Sequence, residues 1–489
     1  MTTVHAVETF DSLNPATDEV IGTYPVHSAD EVQAAVDRAR AAARWWESLG
    51  FAGRAERLAR WRGSLARRLP ELCELVSRET GKPAGDAQLE IVLAIEHLAW
   101  AGKQARKVLG TQRRAPGLLL SNQAATVEYQ PLGVIGVIGP WNYPVYTPLG
   151  SIAYALAAGN AVVFKPSEYT PGVGTWLVDT FAEAVPEYPV LQLVTGFGAT
   201  GAALARSGVD KIAFTGSTAT GKKVMAAAAE TLTPVVIEAG GKDPLLVDAD
   251  ADLDAAADAT VWGAFSNAGQ TCAGVERVYV HQGVYDAFVA KVVERAKKVS
   301  AGADYGPMTM PTQLEVVRTH ILDALARGGR ALVGGKDAVG DRYVQPTVLV
   351  DVPEDSAAVR EETFGPTVTI AKVADMDEAI EKANDSVYGL GSTVFAKRRG
   401  LELARRLRTG QTAINAPLSF AGIASLPFGG RGDSGFGRIH GPEGLREFAR
   451  PKAIARQRFT VPLRLTTFPR SPRTDALVGK LIATLHGRR

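Results

Sequence analysis

Between residues 126 and 240 short β-branched runs alternate with helical stretches, and this alternation constrains the fold more than any other feature. "VEYQPLGVIGVIGP" leads into "PLGSIAYALAAGN", "AVVFKPS" into "TPGVGTWLVDTFAEAV", "VLQLVTG" into "GAALARSG", and "KIAFTGS" into "ATGKKVMAAAAE" before "PVVIEAGG". Strands alternating with helices predict βαβ units and a parallel sheet covered on both faces. Such a sheet presents its ligand site at the carboxyl ends of its strands. A second α/β segment begins after residue 250, with "ADLDAAADATVWGAFSNAGQ", "RVYVHQGVYDAFVAKVVERAKKV" and "DMDEAIEKANDSVYGLGSTVFA".

Ahead of the first strands the chain reads helical. Ser28 and Glu31 form a candidate capping box, followed at helical spacing by Val32, Ala35, Val36, Ala39, Ala43 and Trp46. Cys73, between Leu72 and Leu75, reads as a core cysteine on a second amphipathic helix. The 489 residues allow two or three domains. A net charge of +2 gives no case for a nucleic-acid footprint. No signal peptide or bilayer-length apolar run is expected, and two cysteines, Cys73 and Cys272, support neither a disulfide framework nor a Cys-rich metal site. Together these features suggest a cytoplasmic location.

Cys272 stands in "NAGQTCAG", among small residues that leave room for a ligand. The ends of the expected strands carry "GPWNYP", "FKPSE", "FTGSTATGKK" and "EAGGK". There is no G-x-G-x-x-G. "GSTATGKK" continues with Lys223 rather than Ser or Thr, so it fails as a nucleoside triphosphate P-loop, though its free N–H groups could still hold a phosphate. Lys165 and Glu168 suit ribose hydroxyls, and a carboxylate there repels a 2′-phosphate; a solvated turn with a surface ion pair fits equally. Glu238, ending a buried strand, should have a raised pKa and suits a general base, or else pairs with Lys242. Asn142, between Trp141 and a Tyr-Pro pair, could donate to an oxyanion or cap the following helix.

Taken in order, "GPWNYP", "KPSE", "FTGSTATG", "EAGGKDP", "SNAGQTCAG", "EETFGP" and "PFGGRGDSGFG" resemble the aldehyde dehydrogenase superfamily over nearly the whole chain. The resemblance implies Cys272 as nucleophile, Asn142 and the Cys272 N–H as oxyanion hole, and Glu238 as the base that hydrolyses a thioester. It implies NAD, with NADP as the alternative, held by Trp141, Lys165, Glu168, Gly216, Ser217, Glu362 and Phe364. Tyr143, Tyr146, Thr271 and Phe420 would line an apolar, partly aromatic substrate funnel, and no metal is expected. Two Rossmann-like domains are implied: cofactor (1–110 and 132–240) and catalytic (241–428). An oligomerisation arm with a C-terminal tail (111–131 and 429–489) would pair an edge strand at about 450–462 across a homodimer, within a dimer or tetramer.

Two departures stand out. Ala239 replaces the common Leu of "ELGGK", and Ile439 replaces a glutamate that often supports the base, leaving open how a proton leaves Glu238. His440-Gly441 is similar to class 3-like members, which favours aromatic or medium-chain aldehydes. Succinate semialdehyde is the competing substrate, but "NAPLSFAGIASLP", residues 415–427, holds no cation for its carboxylate. A CoA-acylating enzyme would lack Glu238, a silent protein would not keep Cys272, Glu238 and Asn142, and a cysteine protease lacks a histidine motif. The basic tail reads as a helix docked on a partner subunit or as solvated chain, ahead of a membrane-surface helix.

Overall fold

The computed structural model describes residues 8–461, 467–469 and 471–487. Residues 1–7, 462–466, 470 and 488–489 lie outside them, and with them the end of the expected edge strand and part of the expected basic tail. Two compact units separate: residues 1–109 with 131–450, and residues 110–130 with 451–489.

The first unit holds two α/β layers, as the strand–helix alternation predicts. A six-stranded sheet runs in the order Gly435–Phe436, Val235–Ala239, Lys211–Gly216, Val134–Ile138, Ala161–Lys165, Leu191–Leu193. All pairings are parallel except that of Gly435–Phe436. Chain order reverses beside Val134–Ile138, which makes a switch-point crevice at the carboxyl ends of that strand and of Lys211–Gly216. The strands are near-continuous apolar runs because both faces are covered.

The N-terminal helices supply part of that cover. Ala29–Ser48 starts with the Ser28–Glu31 capping box. It buries Val32, Ala35, Val36, Ala39 and Trp46 as expected, but Ala42 rather than Ala43. The Trp46 indole N–H donates to the Leu156 carbonyl at 2.8 Å, so the ring is buried with its polar edge satisfied. Cys73 is buried on helix Leu69–Thr80. The chain begins with an antiparallel hairpin, Thr9–Leu13 with Val20–Pro25, that the helical reading did not anticipate.

The seven-stranded sheet is ordered Arg330–Val333, Thr347–Val350, Thr367–Val373, Arg277–His281, Pro244–Val247, Thr393–Phe395, Ala413–Ile414. Only the first of these runs antiparallel. Its core includes Leu245, Phe265, Val278, Phe288, Ile321 and Phe395.

The second unit carries a three-stranded sheet, ordered Ala449–Gln457, Gln123–Pro131, Gln112–Arg114. Its outer strand is largely exposed. Residues 429–450 were grouped with this arm from sequence, yet they lie in the first unit. The reason is local: Gly435 and Phe436 hydrogen-bond as an edge strand against Glu238 and Ile237.

Candidate active site

Cys272 is presented by an unusual turn. Helix Leu253–Phe265 ends, and Asn267, Ala268 and Gly269 then take left-handed backbone angles (φ 54°, 56° and 70°). A Cβ built on Gly269 would overlap the Gly365 carbonyl, so only glycine fits there. Two amides lock the turn. Asn267 Nδ2 donates to the Gln270 carbonyl at 3.1 Å, and Gln270 Nε2 donates to the Asn267 carbonyl at 3.0 Å. The Thr309 N–H then donates to Gln270 Oε1 at 2.9 Å.

Asn142 is tied into the same turn. Its Nδ2 donates one hydrogen to the Gln270 carbonyl at 2.9 Å, and its own carbonyl accepts from Asn267 Nδ2 at 3.1 Å. A primary amide has two hydrogens, so one donor remains for a ligand. Asn142 does not cap the following helix, Tyr146–Ala158, whose N-terminus has no side-chain cap on its own N-cap residue. That helix start is satisfied instead by Glu90, which accepts from the Val145 and Tyr146 N–H groups at 2.7 and 3.1 Å. Glu90 is paired with Lys82 at 2.7 Å, both side chains fully buried. Lys82 also donates to the Asn142 carbonyl at 2.7 Å and lies 4.3 Å from the Tyr143 ring centroid. Sequence reading missed this pair. Its signal was present: Glu90 falls in register with the buried positions Ala87, Ile91 and Ala94 of helix Ala84–Leu109.

Glu238 sits at the end of its strand, 3% exposed, and neither carboxylate oxygen has a hydrogen-bond partner of normal geometry among the described residues. Burial pushes its pKa up to about 7, with the Cys272 thiol and the Thr215 hydroxyl pulling it part of the way back. Lys242 is not its partner. That ammonium is buried against Glu276 and donates to Thr363 Oγ1 at 2.9 Å. The Cys272 thiol is pushed well above its usual value, first by burial and then by Glu238. Thiol, carboxyl and amide thus meet at the junction of the two sheets.

The residues expected around a cofactor flank the crevice. Gly241 N–H donates to Glu362 Oε1 at 3.1 Å, and a Cβ on Gly240 would overlap that carboxylate. Burial raises the Glu362 pKa to about 8. Phe364 has φ 50°, and its ring meets the Trp141 ring edge-on at 5.7 Å. The Thr363 N–H donates to Glu276 at 2.9 Å, which holds that segment. Lys165 is buried, donates to the Pro166 carbonyl at 2.8 Å and lies 4.0 Å from Glu168. Ser217, after Gly216, caps helix Thr218–Ala229 by accepting from the Thr220 N–H. A helix N-terminus, a buried ammonium and a partly exposed carboxylate at neighbouring strand ends fit a dinucleotide's pyrophosphate and ribose.

On the substrate side, Tyr143 OH bonds Thr271 Oγ1 at 2.9 Å, and Tyr146 OH donates to the Ala421 carbonyl at 2.7 Å. Burial, then the nearby Cys272 sulfur, raises the Tyr146 pKa. Phe420 is buried 6.2 Å from Phe428. Behind Tyr146 lie two buried histidines, His97 and His440, with ring centroids 3.9 Å apart. His440 has φ 64°, and both its ring nitrogens lack a partner among the described residues. Burial keeps both rings neutral by lowering their pKa values, that of His97 to about 4. A Cβ built on Gly422 would meet Leu93, and Leu89, Val92, Ile423 and Leu426 are each exposed. Among the described residues no cluster of His, Cys, Asp or Glu is arranged to hold a metal ion.

The model of the aldehyde dehydrogenase family matches residues 2–454. A 4,4'-diapolycopene aldehyde oxidase of Methylomonas sp is 39% identical over 96% of this chain and 89% of its own length. A protein of Mycolicibacterium smegmatis, provisionally named an NADP(+) succinate-semialdehyde dehydrogenase, is 37% identical over 90% of this chain and 87% of its own. The structure of an NAD-dependent aldehyde dehydrogenase from Sinorhizobium meliloti superposes with a TM-score of 0.89 at 34% identity, covering 94% of this chain and 93% of that one.

Proposed function

Since the chain belongs to the aldehyde dehydrogenase family, we propose that it oxidises apolar, aromatic or medium-chain aldehydes to carboxylic acids with NAD. The observation that carries this reading is the meeting of Cys272 and Asn142, on two mutually bonded turns, with Glu238 at the end of its strand. Cys272 adds to the aldehyde carbonyl while Glu238 takes the thiol proton, and the oxygen charge falls on the free Asn142 N–H and the Cys272 N–H. Bound nicotinamide dinucleotide supplies the hydride acceptor. Loss of hydride leaves an acyl thioester on Cys272; Glu238 releases the thiol proton to solvent, then accepts a proton from the water that hydrolyses the thioester, and the acid leaves with Cys272 expelled as the thiolate. Ile439 is buried and cannot relay that proton, so Glu238 returns it through the crevice.

The aromatic side chains Tyr143, Tyr146 and Phe420 support an apolar substrate, and residues 415–427 carry no cation for a second carboxylate. Steady-state kcat/KM for an aromatic aldehyde, a medium-chain alkanal and succinate semialdehyde tests this. The apolar pair exceeds the semialdehyde by at least about tenfold, since an unpaired carboxylate entering an apolar funnel costs several kcal/mol. A semialdehyde preference contradicts the assignment. Glu168 supports NAD over NADP. Glu168→Ala lowers kcat/KM for NAD by about tenfold through lost ribose hydrogen bonds and narrows the NAD/NADP ratio, read with both cofactors side by side. The open edge strand Ala449–Gln457 supports assembly as a homodimer or tetramer.

Lys82 and Glu90 serve as positioning residues for the oxyanion turn. Lys82→Met leaves Glu90 buried and unpaired and lets Asn142 drift, so kcat falls by roughly a hundredfold. Lys82→Arg recovers part of the loss. KM for the cofactor stays near the parent value in both variants, which separates this effect from general loosening.

A further inference from the structure

The C-terminal helix, Pro472–His486, is capped by Ser471 and has no buried residue. Leu477, Leu481 and Leu485 recur every fourth position, with Val478 and Ile482 beside them, forming one continuous apolar stripe. Leu477 is 57% exposed and Leu485 45%. Phe468, shortly before the helix, is fully exposed. Arg473 and Lys480 border the stripe on its polar side. Residues 463–489 hold six Arg and Lys against one acidic residue, Asp475, while the whole chain is only at +2. The rest of the protein is therefore slightly acidic, with its charge spread over many residues.

We propose that this helix is a membrane-surface element that lies on anionic lipid, its leucine stripe in the acyl boundary and its cations among the headgroups. The charge decides the occupant. Interface cores between protein subunits are depleted in charge, whereas a segment with six Arg and Lys, Arg473 and Lys480 on the helix and the other four flanking it in sequence, matches an anionic leaflet. The helix lies on the bilayer and does not cross it: no helix among the described residues is long and apolar enough to span. Lengthwise the stripe reaches about 12 Å, or two helical turns, enough for a monotopic contact. The proposal stands apart from the substrate assignment above.

Flotation of the full-length enzyme with vesicles tests it, comparing phosphatidylcholine alone with an equal mixture of phosphatidylcholine and phosphatidylglycerol. The enzyme floats with the anionic vesicles only, and binding drops by at least about tenfold when salt rises to about 0.5 M. Two double variants, Leu477→Glu with Ile482→Glu and Arg473→Glu with Lys480→Glu, each lose at least about tenfold in vesicle binding. Both keep parental turnover of a soluble aldehyde and parental mass by light scattering. The proposal is overturned if the parent ignores anionic vesicles, or if the variants bind as the parent does. It is equally overturned if either variant lowers the oligomer mass, because the helix would then hold subunits together.

Discussion

Cys272→Ser lowers aldehyde oxidation by at least about a thousandfold, with the fold intact. The thiol is already pushed upward by burial and by the neighbouring carboxylate, so attack depends on proton removal as the bond forms. A thiol lies within reach of a carboxylate whose pKa is about 7. A serine hydroxyl is far less acidic and a poorer nucleophile, and the same carboxylate cannot activate it to a comparable degree. NADH production under saturating aldehyde measures the loss. Near-ultraviolet circular dichroism and an unchanged Tm show that packing survives, as expected for a one-atom change in a half-buried side chain. Retention of full activity would remove Cys272 from the mechanism.

The second large effect concerns Glu238. In the parent, kcat rises with pH through about 7 and then levels, because only the ionised carboxylate accepts a proton. Glu238→Gln removes this rise and lowers steady-state kcat by about a thousandfold, within the range a positioned general base contributes. The stability change runs the opposite way. Glu238 has a folded-state pKa above its usual value, so the neutral carboxyl is favoured in the fold and ionisation costs stability as pH climbs toward and past 7. Glutamine carries no such cost. The variant's Tm gain is therefore largest near pH 8 and vanishes near pH 4. A pH-independent gain would show that the carboxyl is not held neutral by burial.

Legibility in the sequence followed the range of the interactions. The strand–helix alternation reports local burial on both sheet faces, and it predicted the layers of the first unit. Cys272, Glu238 and Asn142 are legible as candidates because each sits at a strand end or in a turn, where local chemistry is visible. The pairs that hold them were not visible. Lys82 follows Gly81 at a helix end and looks like a solvated cation, while its carboxylate partner and the Asn142 carbonyl lie on other segments. His97 reads as an ordinary helix residue until His440, more than 300 residues away, is brought against it. Glu90 and His97 share a clue: both are polar residues at apolar register positions of helix Ala84–Leu109. The boundary at residue 429 was misplaced because a two-residue edge strand, Gly435–Phe436, has no period of its own to read. Candidate cofactor residues were legible as motifs, but the support that Glu276 and Lys242 give to Thr363 and Phe364 required the fold.

The account's central claim is that Cys272 carries the acyl group between oxidation and hydrolysis, with Glu238 speeding the attack but required to finish the turnover. Mixing Glu238→Gln with an apolar aldehyde and NAD, then measuring NADH and the intact protein mass together, tests it most directly. The account predicts a single burst of about one NADH per active subunit, a mass increase equal to the acyl group, and fragmentation that assigns the adduct to the peptide containing Cys272. Continued turnover with no adduct, or an adduct on Cys73, would contradict it.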